Sequence, residues 1–192
     1  GLYASGGMIF NDQSMEIISK EALKYKLMDF KGYKFRPPIP RKKLSHFDRI
    51  KNPPPIDIKK LIQDCKKIRS KVGNKFKLML DLGCRINNLK DFYYLSDFLN
   101  ELNFFFIEEP FKRDINIYKK IYNKSKTKIS FGESLTNKKD FINWLKYIDI
   151  LQPDSNMITI SEIIGLKKLF KKSNKMVIFH NWGNPISMLS NF

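Results

Sequence analysis

The chain has 192 residues, 42% hydrophobic and 14% aromatic, which suffices for one sizeable core and excludes disorder over most of the length. Its formal net charge of +17 comes from Lys and Arg residues spread along the chain, which favours solvated helix faces over a nucleic-acid surface. No apolar run is long enough for a transmembrane helix, and two cysteines, Cys65 and Cys84, are too few for a secreted disulfide framework and fit the cytoplasm.

Short apolar runs alternate with amphipathic stretches along the whole chain. In chain order, the pattern predicts strand 2–5, helix 14–28, strand 32–36, helix 57–72, strand 76–82, helix 90–102, strand 104–108, helix 115–124, strand 128–131, helix 138–147, strand 149–152, helix 159–172 and strand 176–179. Strict alternation predicts an α/β fold with a parallel sheet. About seven such units favour an incomplete (β/α)8 TIM-type barrel, since no Gly-rich phosphate fingerprint follows any strand.

A Pro-rich basic loop is predicted over 37–55, after the second strand. It holds six of the nine prolines together with Arg41, Lys42, Lys43 and Arg49. As a βα loop it would lie on the active-site face of a barrel, so a substrate-covering role and plain disorder both stay open. His46 lies in this loop, where a solvated histidine is the favoured interpretation.

Polar residues able to do chemistry stand at the carboxyl ends of five predicted strands. They are Asp81, Glu108, Glu133, Asp154 and His180, and each follows the previous one by 21 to 27 residues. That interval is about one βα unit, so we expect these side chains around one rim of the barrel.

Three of these residues, Asp81, Glu108 and Glu133, are carboxylates from consecutive strands. A single acid in such a position is commonly a strand-end residue or a helix cap, whereas three in register predict a hard oxygen site for Mg²⁺. Without a cation, clustered carboxylates would repel one another and raise each other's pKa. A divalent ion removes that penalty.

Lys34 and Arg36 lie two residues apart on the second predicted strand, so both side chains point the same way. In a barrel that direction is the interior, where an unpaired cation is costly. The partner is then a substrate carboxylate or the metal ligands; the alternative is an edge strand with solvated charges.

These residues resemble the enolase superfamily, in its mandelate racemase-like branch. The matching segments are Tyr-Ala-Ser-Gly-Gly at 3–7, Lys-Phe-Arg at 34–36, Leu-Met-Leu-Asp at 78–81, Ile-Glu-Glu-Pro at 107–110, Gly-Glu at 132–133, Gln-Pro-Asp at 152–154 and His-Asn-Trp-Gly at 180–183. The resemblance implies that Asp81, Glu108 and Glu133 bind Mg²⁺. It also implies an Asp154–His180 dyad and the cationic pair Lys34 and Arg36, all serving abstraction of the proton α to a carboxylate through an enediolate.

Arginine stays protonated and is a poor base, so the base role falls to His180, while Lys34 binds the substrate carboxylate or acts as a second acid/base. One dominant base favours a dehydratase, a hydro-lyase that converts an aldonate or aldarate to a 2-keto-3-deoxy acid. The alternative is a racemase or epimerase of a 2-hydroxy acid, with Lys34 and His180 on opposite faces. The resemblance further implies a small carboxylate substrate and a homo-oligomer in the full-length protein. From composition and charge pattern we expect a cytoplasmic enzyme with no nucleic-acid or membrane partner.

The chain departs from the family pattern at several places. Gly83 and Cys84 stand where an Asn is usual, and 156–159 replaces the usual Gly-Gly. The chain begins at Gly1 and ends twelve residues after His180. We therefore expect 1–192 to be a partial barrel domain that lacks the N-terminal α+β capping domain and an eighth strand. An inactive truncated fragment or a basic nucleic-acid-binding module stays open as an alternative.

Overall fold

The computed structural model describes residues 2–7, 14–39 and 54–181. The described residues fall into two compact units. The first comprises Gly1–Asp114 with Lys124–Thr127, and the second comprises Ile115–Asn123 with Lys128–Phe192. Most of the predicted loop 37–55, with His46, lies outside the described residues.

The first unit contains four parallel strands in sequence order. Its elements are β1 (Ala4–Gly6), α1 (Met15–Leu27), β2 (Gly32–Phe35), α2 (Ile58–Val72), β3 (Lys77–Asp81), α3 (Leu89–Glu101) and β4 (Phe104–Glu108). Each strand pairs with the next, and the register places Lys34 opposite Met79 and Asp81 opposite Glu108. The carboxyl ends of β3 and β4 therefore bring two acidic residues side by side.

The second unit repeats the same arrangement on a smaller scale. Its elements are α4 (Ile115–Tyr122), β5 (Ile129–Phe131), α5 (Lys138–Trp144), a 3₁₀ turn (Leu145–Tyr147), β6 (Ile150–Leu151), α6 (Ile160–Lys172) and β7 (Met176–Val177). Strands β5, β6 and β7 pair in parallel. These pairings confirm the predicted α/β class with parallel strands.

Side-chain caps explain why the helix starts could be read from the sequence. In five of the described helices, a polar side chain just before the helix accepts a hydrogen bond from the backbone N–H three residues later, which satisfies an otherwise unpaired donor. These caps are Ser14, Asp57, Asn88, Asn137 and Thr159. The predicted helix starts are accordingly correct to within one residue.

Six of the seven described strands are shorter than their apolar runs suggest, and β4 alone has its predicted bounds. β1 covers Ala4–Gly6 rather than 2–5, because pairing with β2 begins at Ala4 opposite Tyr33. Strand β7 keeps only Met176 and Val177 of the predicted 176–179. Hydrophobicity marks the residues that become buried, whereas strand ends depend on where a neighbouring strand offers hydrogen bonds.

A buried arginine ties the amino-terminal ends of β3 and β4 to α2. The guanidinium of Arg69, only 4% exposed, donates to the carbonyl oxygens of Leu102, Gly73, Phe76 and Asn103 at 2.7 to 2.9 Å. Gly73 and Leu102 lie directly after α2 and α3, and Phe76 and Asn103 lie directly before β3 and β4.

Among the described helices, none combines the length and apolar character that a membrane span requires.

Candidate active site

The side chain of Lys34 is buried at the interior face of β2 and forms an ion pair with Glu108. Its Nζ lies 2.5 Å from Oε1 and 2.7 Å from Oε2 of that carboxylate, and the two side chains are 5% and 1% exposed. Burial alone would lower the pKa of Lys34, but the negative charges around it, Glu108 foremost, raise that pKa above its usual value. Lys34 is therefore fully charged at neutral pH.

Arg36 forms a further ion pair in the first unit, with Asp81 at the end of β3. Its Nε and Nη2 lie 3.0 and 2.5 Å from Oδ2 of the carboxylate, while the backbone N–H of Gly83 donates to Oδ1 at 2.9 Å. A Cβ at Gly83 would sit 3.4 Å from Nε of Arg36. That distance is an ordinary van der Waals contact, and Gly83 has φ +52°, a left-handed conformation that glycine adopts without strain.

Asp81 and Glu108 are cross-strand partners, so their carboxylates come from one edge of the first unit. The segment after β3 is fixed against the end of β4, because Leu82 N donates to Glu108 O at 2.9 Å and Cys84 N to Glu109 O at 2.7 Å. Adjacent carboxylates fit the preference of Mg²⁺ for one or two such ligands plus water and substrate oxygens. The donor set of this unit is therefore chemically suited to that ion.

The second unit places His180 between two carboxylates. Its Nδ1 lies 2.6 Å from Oδ2 of Asp154, and its Nε2 lies 3.0 Å from Oε2 of Glu133. Each ring nitrogen thus has a carboxylate oxygen at hydrogen-bond distance, and its role as donor or acceptor depends on the tautomer. The imidazole side chain is 19% exposed and that of Asp154 only 5%, so the dyad has one buried member and one accessible to solvent.

Arg85 is a buried site neighbour that sequence reasoning missed. It is 5% exposed and donates to the carbonyls of Pro37 at 2.7 Å, Pro54 at 3.1 Å and Pro38 at 3.4 Å. Burial, together with the smaller effect of the nearby Arg36 charge, lowers the pKa of Arg85 to about 10. One side chain thus holds both described ends of the predicted loop 37–55. No periodic pattern marks such a residue, since its partners are backbone carbonyls.

All seven residues predicted for the site lie in the described part of the chain. The first unit brings together Lys34, Arg36, Asp81 and Glu108, and the second brings together Glu133, Asp154 and His180. Across residues 2–7, 14–39 and 54–181, no group of three or more His, Cys, Asp or Glu side chains is arranged to hold a metal ion. The three-carboxylate magnesium site stays a prediction.

Solved structures with the same fold cover nearly the whole chain. A 3,6-anhydro-D-galactonate cycloisomerase from Zobellia galactanivorans has a TM-score of 0.81 at 23% identity over 98% of this chain and 48% of its own. A magnesium-bound racemase from Streptomyces coelicolor A3(2) has 0.76 at 20% identity over 94% and 46%. An enolase from the Sargasso Sea environmental genome sequencing has 0.82 at 21% identity over 99% and 47%.

The chain spans about half the length of these structures, and the fold likeness confirms the predicted incomplete (β/α)8 barrel. No curated protein matches the sequence. The family model described as enolase C-terminal domain-like matches residues 18–192, which includes every residue predicted for the site. The chain therefore belongs to the enolase C-terminal domain-like family, within the enolase superfamily.

Proposed function

We propose that this chain carries the proton-transfer and ligand residues of a Mg²⁺-dependent enzyme that removes the proton α to a carboxylate. The observation that carries the proposal is the 2.6 Å contact between Nδ1 of His180 and Oδ2 of Asp154. A buried carboxylate at Nδ1 fixes the ring orientation and leaves Nε2 as the nitrogen for proton transfer. Family membership supports this class of reaction.

Asp81, Glu108 and Glu133 would hold the Mg²⁺. When bound, the ion supplies positive charge for the oxygens of the substrate carboxylate. Lys34 and Arg36 add two fixed cations at the same edge as Asp81 and Glu108, and both are proposed to orient the anionic substrate. The net charge of +17 raises the local concentration of such an anion.

His180 acts as the general base at Nε2. This nitrogen lies 3.0 Å from Glu133, so it accepts a proton only after the Glu133 carboxylate has turned away from it. The Cα–H bond of the substrate then breaks, and its electron pair remains on the substrate, delocalised into the carboxylate. Asp154 stabilises the imidazolium that results.

The reaction that we favour is dehydration of an acid sugar, an aldonate or aldarate. The electron pair from Cα forms a Cα–Cβ double bond as the β-hydroxyl leaves, and His180 returns its proton to that oxygen, so that water departs. The enol then tautomerises to a 2-keto-3-deoxy acid. The cycloisomerase from Zobellia galactanivorans is named for a sugar-acid substrate, which supports this substrate class.

Proton NMR in D₂O with Mg²⁺ and a panel of aldonates and aldarates tests the reaction. Loss of the α-proton signal with appearance of a 2-keto-3-deoxy acid, abolished by EDTA and by His180→Gln, is the expected result. Deuterium incorporation with inversion and no keto product would instead identify the racemase alternative. Absence of α-proton exchange with every carboxylate of the panel would contradict the proposed function of this chain.

Magnesium binding is tested separately by isothermal titration calorimetry. Glu133→Gln removes one proposed ligand charge from a side chain that is 25% exposed and should weaken Mg²⁺ binding at least tenfold, whereas Glu101→Gln changes an exposed glutamate of α3 and should leave binding unaltered. Equal affinities for both variants would contradict the proposed ligand set.

A further inference from the structure

Asn156 makes two hydrogen bonds to a single oxygen of Asp154. Its backbone N–H and its side-chain Nδ2 each lie 2.8 Å from Oδ1 of that carboxylate. The other oxygen, Oδ2, is the one that faces Nδ1 of His180 at 2.6 Å. The two carboxylate oxygens therefore have separate partners, one in the turn that follows and one in the imidazole.

The surrounding turn is built around the same aspartate. The N–H groups of Met157 and Ile158 donate to the backbone carbonyl of Asp154 at 2.9 and 3.1 Å, and His180 N donates to the carbonyl of Pro153 at 3.1 Å. These bonds fix the backbone on both sides of the dyad. They do not fix the torsion of the Asp154 side chain, which is left to the contacts of its carboxylate.

Two donors on Oδ1 restrict that torsion. A carboxylate oxygen has two in-plane lone-pair directions, and two donors at hydrogen-bond distance occupy both. Rotation of the carboxylate would break both bonds as well as the contact with His180. The segment 156–159 was a departure from the family pattern, and in the structure its first residue supplies one of the two donors by its side chain.

We infer that Asn156 is a positioning residue of the Asp154–His180 pair, holding Oδ1 so that Oδ2 faces Nδ1 of the imidazole. The inference rests on the proposed function for its catalytic consequence, but the contact itself needs neither Mg²⁺ nor substrate. Asn156 bonds directly to the carboxylate of Asp154, so we expect its effect on His180 to pass through the aspartate.

The chain has two histidines, His46 and His180, which makes the imidazole directly observable. Long-range ¹H–¹⁵N correlation spectra of ¹⁵N-histidine-labelled chain, recorded with EDTA and without substrate, report the state of each ring nitrogen. His46→Gln assigns the remaining signals to His180. In Asn156→Ala and in the near-isosteric Asn156→Asp, we expect the Nδ1 signal of His180 to shift and its Nδ1–H cross-peak to be lost.

The matched control is Asn137→Ala in the same unit, because Asn137 also donates from Nδ2 to an aspartate, Asp140, at 3.2 Å. It should leave the His180 signals in place. Unchanged His180 signals in both Asn156 variants, with native circular dichroism, would overturn the inference, as would equal shifts in the Asn137 control. A failed D₂O assay together with shifted His180 signals would reject the proposed function while leaving the positioning role intact.

Discussion

Lys34 on β2 reaches across β3 to form its ion pair with Glu108 on β4, with 2.7 Å between Nζ and Oε2. The residue opposite Lys34 on the intervening strand is Met79, which is apolar and buried. The ion pair therefore joins β2 to β4 across the intervening strand β3, within the first unit. Both partners have lost nearly all their water, so neither charge tolerates the loss of the other.

Replacing one member of this pair should destabilise the chain strongly. Lys34→Met leaves the carboxylate of Glu108 buried and unpaired, and we expect a loss of about 3–5 kcal/mol in the free energy of unfolding. Chemical denaturation followed by circular dichroism measures it. The double variant Lys34→Met with Glu108→Gln should recover more than half of the loss. Lys20→Met, in an exposed pair with Glu16, should cause no measurable change; a similar loss there would contradict the assignment.

Gly132, which precedes Glu133, has a backbone conformation closed to other residues. Its φ is +130°, and an added Cβ would lie 3.2 Å from Cε1 of Phe141 and 3.3 Å from the backbone N of Gln152. We expect Gly132→Ala to cost about 2–4 kcal/mol from strain and crowding together. Gly73→Ala is the control, since Gly73 has φ +73° with only Lys26 Nζ, at 4.0 Å, nearby. Equal losses in thermal denaturation would exclude the crowding contribution.

Arg85 joins both described ends of the Pro-rich segment through three proline carbonyls. Arg85→Met removes all three donors and leaves buried acceptors unsatisfied, so we expect a loss of about 2–4 kcal/mol. Arg85→Lys should recover only part, because an ammonium lacks the planar fork that reaches several carbonyls at once. Urea unfolding of both variants provides the comparison. Full recovery by lysine would show that charge alone, rather than the fork, is needed.

Cys65 should make the fold sensitive to alkali. Burial, reinforced by Asp64, raises the pKa of its thiol well above the usual 9.0. The folded state therefore binds this proton more tightly than the unfolded state, so the stabilisation is complete below about pH 9 and is lost as pH rises above it. Between about pH 9 and pH 10, the free energy of unfolding should fall by up to ~1.4 kcal/mol per pH unit from this group.

The matching variant is Cys65→Ala, which removes the titrating group. Its difference in stability from the natural chain should be constant below about pH 8 and should narrow above about pH 9. Urea denaturation at closely spaced pH values measures both curves. Parallel curves up to pH 10 would show that the thiol does not contribute to the alkaline loss.

Local pattern was enough to predict the strand and helix succession and the position of each acidic residue at a strand end. Hydrophobic periodicity marks the buried faces, and caps such as Ser14 and Asp57 mark where helices begin. Both signals are carried by residues close together in the chain. The period of a strand alone likewise predicted that Lys34 on β2 and Arg36 directly after it point the same way.

Tertiary structure alone decided which groups meet. That Lys34 pairs with Glu108 and Arg36 with Asp81 depends on strand register, and register is set by the packing of whole strands. Arg69, Arg85 and Asn156 bind carbonyl or carboxylate oxygens that the folded chain delivers to them. Backbone acceptors are identical at every residue, so no sequence pattern distinguishes the ones that a buried side chain will find.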